Sequence, residues 1–451
     1  MRILHTSDWH LGRSFGPVSL HADQEAFLDW LVEVVVAERV DLVVVAGDLY
    51  DRAIPPTESV ALLRDALDRL VTHHVRVVAI SGNHDGPERL AAYDGLTDLS
   101  GVLVRGGFGR AGAVTTLELA DGPLDVVAVP YLDPVLTPPA WAAGPEAEPD
   151  VVVASPEAAV LPPVPSRPPV AEAGSVPAEP LSLFDLLDVE PDPPHVAAAA
   201  GAGAASSPMS TRRTHHGVLD QALSRARAQR RAPRSLVVAH AFVSGAETSE
   251  SERLLTVGGT AEVGIELFDG FDYVALGHLH RPQRVRAGLD TVRYSGTPLP
   301  YSFSETHPKQ VVLVDMAPGG ACEVRTIEVP LGRGVATVVG PIEELLTDAT
   351  HAPAEACFVR AVLTDPGYVV DARSRLQGRF PHVVEVVPRP AAVATTGDLS
   401  GAAGGDARRR LDPLDAALGF WLDVTGEVPE DVERSLLESV LSHVTSAEAR
   451  A

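Results

Sequence analysis

Five short motifs in this chain carry side chains that bind divalent cations: Asp8-Trp9-His10, Gly47-Asp48, Gly82-Asn83-His84-Asp85, His240, and Gly277-His278-Leu279-His280. Together they offer carboxylates, a carboxamide oxygen and imidazoles. That mixture suits manganese, iron or zinc, and it is not a thiolate site. A single histidine after a strand is usually structural. Here seven ligand-type residues, Asp8, His10, Asp48, Asn83, His240, His278 and His280, fall at or just after the C-terminal ends of expected strands. Open α/β sheets bind ligands beyond those ends, so the pattern points to one shared centre.

The elements that must position these motifs follow from apolar spacing. Ile3–His5, Asp41–Ala46 and Val75–Ile80 are short apolar runs that suit strands covered on both faces. Asp23–Ala37 and Pro55–His73 lie between them and have helical periodicity. Strands are expected at Val102–Arg105, Val114–Glu118 and Leu124–Val129, then at Ser235–His240, Tyr273–Leu276, Val292–Ser295 and Gln310–Val314. This is a βαβαβ start that runs on into further strands.

Composition divides the chain into six parts. Residues 1–133 and 218–324 read as two halves of one α/β domain. Between them, 134–217 is dense in Pro and Ala, a composition that buries too little side chain to offset ordering entropy and so predicts a disordered insertion. Residues 325–390 read as a small α/β unit, with strands Thr326–Val329, Val335–Val339, Phe358–Leu363 and His382–Val387 and helices Pro341–Asp348 and Val370–Phe380. A Gly/Ala-rich linker, 391–410, leads to a helical tail, 411–451, with helices expected at Pro413–Thr425 and Glu430–Thr445.

The bulk numbers set limits. A net charge of −25 argues against a protein that coats nucleic acid non-specifically, although bound cations would make the carboxylate cluster locally less negative. Two cysteines, Cys322 and Cys357, exclude a disulfide scaffold and imply a reducing compartment. The apolar runs are far too short to span a bilayer, and Met1–Asp8 reads as a buried strand and not a signal peptide. The expected location is cytoplasmic, at the nucleoid.

The order of the motifs resembles the calcineurin-like metallophosphoesterases. Longer stretches are similar to a narrower group, the SbcD family of bacterial double-strand-break repair nuclease subunits. They are Thr6-Ser7-Asp8-Trp9-His10-Leu11-Gly12, Ala46-Gly47-Asp48-Leu49-Tyr50-Asp51-Arg52, Ala239-His240-Ala241-Phe242-Val243-Ser244-Gly245, Phe271 through Gln283, and Arg293-Tyr294-Ser295-Gly296-Thr297-Pro298. The resemblance implies a four-layer α/β (α+β) sandwich flanked by helices, with a small capping domain that selects duplex DNA ends and a C-terminal helical pair. It implies one metal on Asp8, His10 and His280 and a second on Asn83, His240 and His278, with Asp48 bridging. A bridging carboxylate sets two cations roughly 3.5–4 Å apart, where they clamp both the attacking and the leaving oxygen. Mn2+ is the expected metal, with Mg2+ the alternative.

The same resemblance gives His84 to the transition state and pairs it with Asp51; otherwise Asp51 is a turn residue capping the next helix. Arg13, Arg52, Arg89 and Arg281 flank the motifs as candidate DNA contacts, and an ion pair is the alternative for Arg52. The implied activity is 3′–5′ double-strand exonuclease and single-strand or hairpin endonuclease, in DNA repair, recombination and replication. The implied partner is a coiled-coil ATPase of the SbcC type, in a heterotetramer built on a homodimer through residues 55–98. No Gly-rich lysine loop occurs here, so the ATPase is a separate chain.

Other features read two ways. Arg225, Arg227, Arg230, Arg231 and Arg234 form either a DNA footprint or a solvated helix face. Leu181-Ser182-Leu183-Phe184, within the insertion, is similar to peptides that dock on the bacterial sliding clamp, though Pro180 stands where a glutamine is usual. Unchanged clamp binding after deletion of 178–190 would remove that idea. The tail helices either bind the ATPase or pack back on the domain. Two rival functions remain: a phosphatase for small phosphoesters, which predicts no capping domain, and a non-catalytic DNA-end scaffold, which an intact ligand set opposes.

Overall fold

The computed structural model describes residues 1–142, 214–252 and 262–389, together with 414, 429 and 433–437. The chain lays down its two large sheets in three passes. Strands β1 (Arg2–Thr6), β2 (Leu42–Val45), β3 (Arg76–Ile80) and β4 (Val102–Arg105) come first and lie side by side in parallel. Next, β5 (Val114–Leu119), β6 (Gly122–Val129), β7 (Ser235–His240), β8 (Tyr273–Gly277), β9 (Gln283–Arg286) and β10 (Leu289–Tyr294) build a second sheet in the order β9-β10-β8-β7-β6-β5. Finally β11 (Gln310–Met316) and β12 (Cys322–Glu328) return to the first sheet, making its order β12-β11-β1-β2-β3-β4.

Burial explains why the central strands are apolar throughout. Successive side chains of a strand point to opposite faces, and in β2 both faces are covered. Leu42 and Val44 enter the core between the sheets, while Val43 and Val45 pack under helices α1 (His21–Ala37) and α2 (Thr57–Thr72). In β7, Leu236 and Val238 face the other sheet; Val237 and Ala239 face α3 (His215–Gln229). The result is helix, sheet, sheet, helix, the four-layer α/β sandwich expected above. One polar side chain crosses its middle. The buried His5 is held neutral by its burial, with its pKa near 3. Its Nε2–H donates to Leu276 O at 3.2 Å and its Nδ1 accepts from the Tyr273 hydroxyl at 3.0 Å, tying β1 to β8.

A separate three-stranded parallel sheet follows: β13 (Val335–Gly340), β14 (Phe358–Leu363) and β15 (Val383–Pro388), with its own core against α4 (Ile342–Thr347) and α5 (Ala372–Gln377). Phe358 and Val384 of this unit meet Phe15, Leu20, Leu299 and Tyr301 in a shared apolar cluster that joins it to the sandwich.

Three sequence expectations are corrected. The strand expected at Thr326–Val329 is not part of the small unit; it lies in β12, which pairs antiparallel with β11 from Gln310↔Glu328 to Met316↔Cys322. Its charged, half-exposed alternation belongs to a sheet edge. The insertion is also shorter than 134–217 at both ends. Trp141 is buried beneath α3 with the Arg225 guanidinium 4.2 Å from its ring centroid, and Thr214 caps α3 by accepting the Gly217 N–H at 3.0 Å. The arginine series is neither footprint nor solvated face as a whole. Arg227 donates to Leu267 O and Arg230 to Gly270 O, at 2.5 and 2.6 Å, and Arg234 is wholly buried against Asp121. Residues 143–213, including the Leu181–Phe184 peptide, lie outside the described residues, as do the 391–410 linker and all of the tail except 414, 429 and the helical 433–437.

Candidate metal centre

The C-terminal ends of β1, β2 and β3 in one sheet and of β7 and β8 in the other meet at a single rim. Asp8 and His10 follow β1, Asp48 follows β2, Asn83 and His84 follow β3, His240 ends β7, and His278 and His280 follow β8. All seven sequence-derived ligand candidates come together there, and all but Asn83 are buried. Asp8, His10 and His280 offer ligand atoms within 4.8 Å of one another. Across from them, Asn83 Oδ1 stands 2.9 Å from His240 Nε2 and 3.0 Å from His278 Nδ1. Asp48 lies between the clusters, with Oδ2 3.6 Å from both His10 Nε2 and His240 Nε2.

The local backbone is bent to make this possible. Asp8, His10, Asp48 and His278 have φ of 54°, 45°, 49° and 104°, in or near the left-handed region, where a residue with a Cβ costs roughly 1–2 kcal/mol. Strain of this kind persists only where the surroundings over-determine it, and it concentrates at functional sites. Here Asp8 N–H donates to Gly47 O, His10 N–H to Asp48 O and His278 N–H to Asp8 Oδ1, at 3.0, 2.9 and 3.0 Å. Gly82 allows the β3 loop to reach Asp48, since a Cβ there would sit 2.1 Å from Asp48 Oδ1.

The electrostatics fit cations. Both ring nitrogens of His10 are buried without a hydrogen-bond partner among the described residues, which is costly for a polar group unless something else satisfies it. Burial drives the His10 pKa down to about 3 and lowers those of His240 and His278, so these imidazoles present lone pairs at neutral pH. Burial and the nearby Asp48 push the Asp8 carboxyl well up. Burial also opposes ionisation of Asp48, but His240, His10 and His84 outweigh it and hold that carboxyl low. Two carboxylates packed this closely are destabilised without positive charge beside them.

His84 and Asp51 are arranged differently from the expected acid–imidazole pair. His84 Nδ1 donates to the main-chain carbonyl of Asp51 at 2.9 Å, whereas the Asp51 carboxylate is 4.0 Å away. That carboxylate lies 3.6 Å from His10 Nδ1 and accepts from Arg13 Nη1 at 3.1 Å. Nor does Asp51 cap α2, which starts at Thr57 behind Pro56. Of the candidate DNA contacts, Arg13 is engaged by Asp51 and stacks 4.8 Å from the Tyr301 ring centroid. Arg281 pairs with Glu247, and Arg52 and Arg89 are exposed at the surface.

A surrounding layer of residues escaped the sequence reading. Asp85 accepts the N–H groups of Gly82, Tyr50 and Leu49 at 2.9, 2.9 and 3.1 Å, locking the β2 and β3 loops together. It stood inside a motif already singled out. Gln24, inside α1, donates to His10 O at 2.8 Å and accepts from Gly12 N–H at 3.1 Å; nothing in the helical pattern marked it. Tyr301 donates its hydroxyl to Trp9 O at 2.6 Å, beneath the fully buried Trp9.

A four-layer sandwich with carboxylate, amide and imidazole donors gathered on the rim of both sheets is the architecture of the calcineurin-like phosphoesterases, and the family model of that description matches residues 1–130. A model described as the type 5 capsule protein repressor C-terminal domain matches 332–425. The SbcD subunit of the SbcCD nuclease from Bacillus subtilis (strain 168) is 32% identical over 71% of this chain and 67% of its own length. Its counterpart in Rhodobacter capsulatus is 32% identical over 86% of this chain and 81% of its own, and that of Staphylococcus epidermidis 24% over 85% and 84%. The chain belongs to the SbcD family of nuclease subunits.

Proposed function

We propose that this chain is a two-metal DNA phosphodiesterase and the nuclease subunit of a complex with a coiled-coil ATPase of the SbcC type. The observation that carries this reading is the pair of ligand clusters sharing Asp48 at the rim. Asp8, His10 and His280 would hold one divalent cation and Asn83, His240 and His278 the other, with Asp48 serving both. When bound, the cations supply an activated water and neutralise charge on the phosphate oxygens. The chain's own groups do the rest. The neutral amide of Asn83 keeps the centre less negative toward an anionic substrate. His84 has Nδ1–H committed to Asp51 O. With the ring protonated, the second proton, on Nε2, is the one that would stabilise the scissile phosphate or pass to the leaving oxygen.

Beside this centre, a cleft of about 460 Å³ runs between the sandwich and the small α/β unit, lined by Arg13, Phe15, Tyr301, Phe303 and Arg360. Its position supports a capping role for that unit in selecting duplex ends, with Arg52, Arg89 and Arg281 as outlying phosphate contacts. Ile54, Val60, Tyr93, Leu96 and Leu99, in or beside residues 55–98, are large apolar side chains exposed at the surface, which favours a homodimer through this segment. The tail, residues 411–451, would carry the ATPase and the Leu181–Phe184 peptide a sliding clamp. Among the described residues no helix is long and apolar enough to cross a membrane, and the proposed place of action is the nucleoid.

The test is a nuclease assay on blunt and hairpin DNA in Mn2+ or Mg2+, with and without the ATPase, alongside sedimentation of the purified chain. The expected outcome is 3′–5′ shortening of duplex and opening of hairpins, stronger in Mn2+ and dependent on the ATPase, from a dimeric protein. Hydrolysis of a small phosphomonoester by a preparation inert on DNA would overturn the nuclease reading. A monomer at micromolar concentration would overturn the dimer.

A further inference from the structure

His280 is held differently from the other imidazoles of the rim. His240 and His84 each rest Nδ1 on a main-chain carbonyl, at 3.0 and 2.9 Å. Behind His280 lies a chain of polar side chains, half-buried at Ser251 and buried at Thr297, Glu305 and Lys309. Its Nδ1 is 2.6 Å from Ser251 Oγ and 3.4 Å from Glu305 Oε1. The Ser251 hydroxyl donates to Glu305 Oε1, and Glu305 Oε2 pairs with the Lys309 ammonium. Thr297 closes the group: its hydroxyl accepts from Lys309 Nζ at 2.7 Å and donates to Glu305 Oε2 at 3.1 Å. Glu305 and Lys309 are 2% and 7% exposed.

Ser251 Oγ also lies 3.1 Å from Ser249 Oγ, whose hydroxyl donates to Glu252 Oε1, so the nearer, charged acceptor for the Ser251 proton is Glu305. Lysine has only donors and an ionised carboxylate only acceptors. Ser251 therefore gives its single proton to Glu305 and must accept at His280. The His280 proton is then on Nδ1, which leaves the Nε2 lone pair free. The main chain of His280 is anchored as well: its N–H donates to Glu252 Oε1 at 2.7 Å, and its carbonyl accepts from Thr297 N–H at 3.1 Å.

We propose that Ser251, Glu305 and Lys309 form a positioning relay that fixes the ring orientation and proton of His280 and so sets the affinity of the cation site it shares with Asp8 and His10. This rests on the two-cation reading above. The carboxylate turns the ring into a better donor; Lys309 keeps that carboxylate ionised and unable to rotate. Outer-shell partners of metal-ligating histidines typically contribute about 10- to 100-fold in affinity.

The experiment is a Mn2+ titration of the full chain followed by the electron paramagnetic resonance signal of free Mn2+, on the wild type and on Ser251→Ala, Ser251→Thr and Glu305→Gln. Wild type is expected to bind two ions. Ser251→Ala and Glu305→Gln should weaken one of the two by roughly 10- to 100-fold and leave the other unchanged. Ser251→Thr, which keeps the hydroxyl, should restore binding. Should Glu305→Gln fail to fold because Lys309 loses its partner, the serine pair decides alone. Two sites of wild-type affinity in Ser251→Ala overturn the relay and leave the two-cation reading intact. So does equal weakening of both sites, or no rescue by threonine. A wild-type chain that binds no Mn2+ overturns the reading and the relay with it.

Discussion

Asp48→Asn is expected to lower DNA cleavage by roughly 10³-fold or more, because it weakens both cation sites at once and several kcal/mol of transition-state stabilisation go with them. The change is small in every other respect. Asp48 has a left-handed backbone with φ 49°, a conformation asparagine tolerates better than most residues. Its Oδ1 accepts the His84 N–H at 2.8 Å, and the carboxamide oxygen can keep that bond. What disappears is the charge that Oδ2 offers 3.6 Å from both His10 and His240. Without metal, that charge is a burden on its neighbour, since Asp48 helps raise the Asp8 pKa. Yet the same carboxylate is held ionised by His240, His10 and His84, a contribution to stability that asparagine gives up. The metal-free variant should therefore unfold at the same temperature as wild type or slightly lower, while Mn2+ uptake falls from two ions to one at most. Calorimetry and a Mn2+ titration check both halves. Two ions bound at wild-type affinity would remove the bridging role.

Much of the centre was readable in the sequence because its ligands sit at strand ends and the strands announce themselves. Leu42–Val45 and Ser235–His240 are apolar because both faces are covered, and the ligands follow where that pattern stops. Residues that act from the side left weaker marks. Gln24 lies within the apolar repeat of a helix, and Ser251 and Glu305 lie in loops whose approach to His280 is purely tertiary. A motif also fixes proximity without orientation. Asp51 does lie next to His84, as its spacing suggests, but the backbone turns its carbonyl to the imidazole and its carboxylate toward His10 and Arg13. Similarly, Cys322–Glu328 alternates like the surface of a small separate unit because it is the edge of a large sheet. Trp141 was grouped with the Pro/Ala-rich insertion because its packing partner, α3, comes after that insertion in the chain.

His84→Ala is expected to slow DNA cleavage by about 10²- to 10⁴-fold, the usual contribution of a positioned proton donor, while two Mn2+ ions still bind. The first half follows from the single free ring nitrogen, the second from how His84 is attached. Its link to Asp48 runs through the main-chain N–H, which alanine retains. Its ring does stand close to the ligands, 4.6 Å between centroids from His10 and in one cluster with His10 and Asp48. Loss of one ion in the titration would therefore make it a ligand instead. If it acts on the substrate, kcat falls and KM for DNA changes little, because the interaction strengthens only as charge develops on the leaving oxygen. Unaltered cutting would take His84 out of the chemistry and, if Asp48→Asn also cut normally, return the scaffold reading to contention. Asp51→Asn gives the internal comparison. The His84 anchor is a backbone carbonyl that any residue at position 51 supplies, so the loss should be much smaller than for His84→Ala and should be traceable to His10 and Arg13, which the carboxylate touches. Equal losses in the two variants would mean that the Asp51 carboxylate works with His84 after all.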